Sequence, residues 1–166
     1  MLSMNDFFTK TDLSRKDAES IISETLNNCD DGELYLENSK SESIVLDDDK
    51  IKSSSYSSDL GYGLRAVTGE VVAYSHSNEI SKKSLKQSAN NLSSTLKSQK
   101  GIYNHEILQT NEKFYKDVNP IEEKSLQSKL DLLKEVNNYT RAKGGIVQQV
   151  TASFAGEHKS IEIIRS

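Results

Sequence analysis

From Leu60 the sequence runs Leu-Gly-Tyr-Gly-Leu-Arg-Ala-Val, then Thr68-Gly69-Glu70, then Val-Val-Ala-Tyr to Tyr74. Apolar and polar residues alternating on both sides of a glycine-containing turn are the pattern of a half-buried β-hairpin. Tyr62, Leu64 and Ala66 then share one face of the first strand, and Gly61, Gly63 and Arg65 share the other. Two glycines on one face leave a strip bare of side chains, where a second backbone can approach closely; the same pair also suits a bulge or a close helix–sheet contact. Arg65, beside the strip, has the donors for a carboxylate or a carbonyl, and equally for a local Asp or Glu. Gly61, Gly63 and Arg65 are the candidate substrate or interface residues.

The flanking sequence supplies the partners that such a hairpin needs. Ser14 is placed as an N-cap with Asp17 in the first turn, and Ala18, Ile21, Ile22 and Leu26 follow at helical spacing. Asp30-Asp31-Gly32 ends that helix. Glu33–Glu37 and Ser41–Leu46 read as two strands, Asp47–Lys50 as a turn, and Ile51–Ser58 as a Ser-rich strand exposed on one side. The acidic turn lacks the spaced ligands, glycine and closing glutamate of a calcium loop. A second helix starts at Ser81, stapled by Ile80 and Leu85 and continued by Ala89, Leu92 and Leu96.

Lys97–Asn119 shows little periodicity, and Tyr103, Phe114 and Tyr115 are the residues suited to pin it. Asn119-Pro120 restarts a helix, with Leu126, Leu130 and Leu133 on one side and Leu132, Val136 and Tyr139 widening the stripe. Gly144-Gly145 stops it. A strand through Val150, Ala152 and Phe154, a turn at Gly156-Glu157-His158 and a last strand from Ile161 complete the order. The expected fold is α+β: a mainly antiparallel sheet of about five or six strands packed against three helices.

Composition narrows the function classes. The 166 residues carry a net charge of −4, with Lys and Arg interleaved among Asp and Glu and no Trp, so nucleic acid is not an expected partner. No apolar run reaches the ~20 residues of a membrane helix, the start does not read as a signal peptide, and the single Cys29 fits a reducing, cytoplasmic setting. His76, His105 and His158 have no second His or Cys at metal-ligand spacing, and each reads as a turn or loop residue. Gly61-Tyr62-Gly63 lacks the third glycine and the following helix of a dinucleotide fingerprint. No catalytic, cofactor or metal residue is expected in this chain; a stand-alone hydrolase using His76 ranks last.

Gly32-Glu33-Leu34-Tyr35-Leu36-Glu37, Glu42-Ser43, the Leu46-to-Ile51 turn, Gly61-Tyr62-Gly63-Leu64-Arg65-Ala66, Gly69-Glu70, Ala73-Tyr74 and Glu79-Ile80-Ser81 occur here in that order. In this the chain resembles the TldD/PmbA family. Val118-Asn119-Pro120, Lys129–Leu133 and Val150–Ser153 look more like the TldD branch. The resemblance implies the N-terminal domain of a zinc metallopeptidase, also called a modulator of DNA gyrase, that pairs with a PmbA-type subunit and cuts unfolded or extended peptides. It implies a His-Glu-x-x-x-His helix and a later Cys, neither of which is in this sequence. The expectation is therefore one domain over residues 1–166, incomplete at its C-terminal end and inactive alone. It would form part of a substrate cleft and a subunit interface, or else serve as a non-enzymatic module binding a TldD- or PmbA-type partner.

Overall fold

The computed structural model describes residues 7–9, 11–96 and 118–165. His105, Tyr103, Phe114 and Tyr115 lie outside the described residues. In order, the elements are α1 (Arg15–Leu26), β1 (Asp31–Asp47), β2 (Lys50–Thr68), β3 (Val71–Ser77), α2 (Lys82–Leu96), α3 (Pro120–Glu123), α4 (Leu126–Arg141) and β4 (Thr151–Ile164). The sheet has four strands in the order β3-β2-β1-β4. The fold is α+β, as expected, with fewer and longer strands.

The reduction has one cause. The strands expected at Glu33–Glu37 and Ser41–Leu46 are a single 17-residue β1. Ile51–Ser58 and the first arm of the hairpin are one 19-residue β2, and Gly156-Glu157-His158 does not turn but lies inside β4. Asn38–Ser41 and Ser53–Ser58 carry no apolar face, so their chemistry resembles a loop. Ladder pairing holds them extended instead, supplemented by a 2.9 Å hydroxyl contact between Ser41 and Ser57. The β1–β2 connection is the expected acidic turn: Asp48 and Asp49 both have positive φ, 46° and 63°, the conformation of a two-residue primed hairpin turn, which Asp tolerates better than most residues.

The chain divides into two compact units, the division falling within β1, β2 and β4. The first comprises the described residues up to 38, then 59–96 and 160–165. Its core joins Ala18, Ile22 and Leu26 of α1 to Leu34, Leu36, Tyr62, Leu64, Ala66 and Ala73 of the sheet and to Leu85 and Leu92 of α2. Ser14 caps α1 by accepting from the Asp17 amide at 3.1 Å, and Ser81 accepts from Ser84 N at the start of α2. Lys82 ties the two helices together: its amide donates to Asp12 and its ammonium to Asp17 at 2.7 Å.

The second unit comprises 39–58 and 118–159. Its small core is Ile44, Leu46, Leu133 and Ala152, with Leu130 and Phe154 packed on it. The single helix expected from Asn119-Pro120 is two. Asn119 caps α3 through Ile121 N, Lys124 is extended, and Ser125 caps α4 anew. The leucine stripe of α4 is only partly buried, since Lys129 and Asn137 take inward positions while Leu126, Leu132, Val136 and Tyr139 are exposed.

Candidate functional site

Alternation along β2 sorts the hairpin as expected: Tyr62, Leu64 and Ala66 are 4% exposed or less and face the first core. The Tyr62 hydroxyl is anchored at 2.9 Å from both Ser84 and Ser88 of α2. Gly61, Gly63 and Arg65 therefore belong to the outer face of the first unit. Across from them, β3 pairs Gly63 with His76 and Arg65 with Tyr74, and the same face of β1 presents Glu33, Tyr35 and Glu37.

The two glycines do different work. A methyl group on Gly63 would lie 2.5 Å from the Tyr74 hydroxyl oxygen, so the Tyr74 side chain lies diagonally over that part of the strip. A methyl on Gly61 would instead meet a backbone atom, the Ser77 carbonyl oxygen, at 2.8 Å. Tyr74 remains 64% exposed and stacks on His76 with ring centroids 5.9 Å apart. His76 is thus a strand residue, not the turn residue that was expected, and so is His158, in β4. The close helix–sheet contact that two glycines in a strand suggest is made by a third: a methyl on Gly32 would strike Leu26 of α1 at 2.5 Å and the Arg65 carbonyl at 2.8 Å. The sequence placed Gly32 in a helix-ending turn, and nothing local distinguishes the two roles.

Arg65 pairs with Asp31 at 2.5 Å and with Glu33 at 3.6 Å, and Glu33 also receives Arg165 at 3.0 Å. Partial burial pushes the Asp31 carboxyl upward, but the hydrogen bond and charge of Arg65 outweigh it and leave the group below its ordinary value. On the same face, Tyr35 donates to Glu37 at 2.5 Å. That hydrogen bond, with some desolvation, raises the phenol to about 12.

Beside Gly61 lies a hollow of ≈ 220 Å³ whose walls include Tyr35, Glu37, Asp59, Tyr74 and His76. Gly63 and Arg65 are not among its lining residues. A larger hollow of ≈ 420 Å³ in the second unit is bounded by Leu132, Val136 and Phe154 and has no ionisable side chain, so it is a packing surface rather than a place for chemistry. Among the described residues no three His, Cys, Asp or Glu side chains are grouped to hold a metal. Nor is any described helix long and apolar enough to cross a membrane. Cys29 is buried, with its thiol 3.8 Å from the Thr25 carbonyl.

Residues 32–95, which contain β3, most of β1 and α2 and this whole face of β2, match the family described as PmbA/TldA metallopeptidase domain 1. The chain is 37% identical over 134 residues to a protein named metalloprotease TldD homolog from Buchnera aphidicola, a match covering 80% of this chain and 28% of that protein. Among solved structures, a modulator of DNA gyrase from Bacteroides thetaiotaomicron superposes with a TM-score of 0.64 at 19% identity, over 91% of this chain and 36% of that one. TldE from Thermococcus kodakarensis superposes with a TM-score of 0.55 at 14% identity, over 89% and 34%. At such identities the structures speak for the fold, and the chain spans about a third of the length of the relatives it matches. The relatives' names imply a metal in the family, for which the described residues offer no site. On sequence and fold together, the chain belongs to the TldD/PmbA family, whose first domain takes in the hairpin and the glycine strip.

Proposed function

We propose that this chain is the N-terminal, substrate-cleft and subunit-interface domain of a TldD-like zinc metallopeptidase that acts on unfolded or extended peptides. The observation that carries the reading is the outer face around Gly61, where a low floor and a hollow adjoin β3, the terminal strand of the sheet. A terminal strand offers main-chain donors and acceptors to an extended peptide with little regard for its sequence. Gly61 keeps the floor low, Gly63 gives the Tyr74 ring room to lie across β2, and Arg65, held by Asp31 and Glu33, fixes β2 beside β1. On this reading the zinc ligands come from the part of the relatives' length that the match leaves uncovered, so no hydrolytic step is assigned to residues here.

The test is amide hydrogen exchange in the purified chain with and without an excess of an unstructured peptide. Slowed exchange confined to β3 and the Gly61 region is the expected result, and Gly61→Val is expected to abolish it. Unchanged exchange at saturating peptide rejects the cradle. A second reading, a non-enzymatic module that binds a TldD- or PmbA-type subunit, is favoured by the exposed apolar stripe Leu132, Val136 and Tyr139 on α4. Sedimentation with such a subunit tests the module: no complex at micromolar concentration dismisses it, and a complex lost on Val136→Asp favours it over the first reading when peptide leaves exchange at β3 and Gly61 unchanged.

A further inference from the structure

The hollow beside Gly61 combines features that a sequence-blind peptide cradle does not need. Three tyrosines line it: Tyr62, whose hydroxyl is turned to α2, and Tyr35 and Tyr74. Two carboxylates, Glu37 and Asp59, and His76 line it too, with neither lysine nor arginine. Tyr35 donates to one Glu37 oxygen and holds that carboxylate in place, while the exposed Tyr74 ring lies stacked beside His76. At ≈ 220 Å³ the space is below the roughly 300–1,000 Å³ of pockets for free ligands, a size that suits one side chain of a longer molecule. Aromatic faces carry negative potential and attract a cation, most strongly one that is partly desolvated. The carboxylates add the same preference and exclude an anion.

We infer that this hollow is a selectivity pocket for an arginine or lysine side chain of a peptide lying along the outer face, a conclusion that rests on the peptide-cradle reading. The flat guanidinium, which is weakly hydrated and stacks on aromatic rings, is the better fit of the two. The pocket would give an otherwise sequence-tolerant cradle a preferred register, with one basic residue seated beside Gly61.

The experiment uses the purified full chain and three labelled hexapeptides, Gly-Ala-Ala-X-Ala-Ala, with X as arginine, norleucine or glutamate, followed by fluorescence anisotropy. The arginine peptide is expected to bind at least ~5-fold more tightly than the norleucine peptide, and the glutamate peptide more weakly than either. In the Glu37→Gln/Asp59→Asn double variant, with its folding checked by circular dichroism, the arginine-to-norleucine ratio is expected to fall by about half or more, the remainder being the share of the aromatic rings. Equal binding of arginine and norleucine peptides, or a ratio unchanged by the double substitution, overturns the pocket and leaves the cradle standing. Failure of all three peptides to bind overturns the cradle, and the pocket with it.

Discussion

Single residues on the outer face differ in what surrounds them, and that difference sets the cost of changing them. Beside Gly63 the obstruction is the far end of a flexible, exposed tyrosine. Beside Gly61 it is the Ser77 carbonyl of a neighbouring strand. Gly63→Ala is accordingly expected to be within about 1 kcal/mol of the parent, because Tyr74 swings aside and the unfolded chain loses freedom. Gly61→Ala is expected to cost about 1–3 kcal/mol, since backbone must move. Urea denaturation curves compare the two directly, and a larger loss for Gly63→Ala would contradict the geometry. That glycines occupy one face was legible from alternation alone. Which of them faces backbone and which a side chain was not, because it depends on the twist that carries Tyr74 diagonally across β2.

Among the elements, α4 is the one whose burial departs most from its sequence. Its inward positions include Lys129, which is 5% exposed and bonds to Glu42 at 2.5 Å and to the Ile121 carbonyl at 2.6 Å. Its ammonium also lies 5.7 Å from the centre of the Phe154 ring. The pair thereby joins α4 to β1 and to the end of α3, in a unit whose apolar core is small. Breaking a buried pair leaves the other charge uncompensated, so Lys129→Met is expected to cost about 3–5 kcal/mol. Adding Glu42→Leu to Lys129→Met is expected to restore most of that loss. A double-mutant cycle by thermal denaturation checks this, and strictly additive losses would show that the two side chains do not act as a pair. A leucine stripe predicts a helix face correctly, yet periodicity weighs only apolar residues and passes over a lysine whose partner is 87 positions away.

For the molecule as a whole, the carboxylates govern the response to acid. Hydrogen bonds from Lys82 and Ser14 hold Asp17 at about 2. Asp47 is lowered chiefly by Gln149 and Thr151, and Glu122 chiefly by Lys40. Each is more acidic folded than unfolded, so its contribution is complete above the ordinary carboxylate range and is lost as pH falls toward the folded value. Stability is therefore expected to be flat near neutrality and to decline from about pH 4.5 toward pH 2. Asp17→Asn is expected to make that decline shallower, measured as urea midpoints across the same interval; an unchanged slope would show that the Lys82 contact does not persist in solution. At the alkaline end, the raised Tyr35 and Lys40 work in the opposite sense, their contribution being lost as pH rises through their folded values.

Local chemistry determined a good deal of this protein. Capping serines and apolar spacing marked α1 and α2, alternation marked the β2–β3 hairpin and its two faces, and the ordered motifs carried the family. All of these depend on neighbours a few residues away, which is the range over which side-chain pattern and backbone geometry are coupled. Three things waited for the tertiary structure: the joining of short strands into 14- to 19-residue ones, the break between α3 and α4, and the gathering of Tyr35, Glu37, Asp59 and Tyr74 around Gly61. Each is decided by partners far away along the chain: ladder hydrogen bonds that hold polar residues extended, and strand neighbours that bring separated side chains to one hollow.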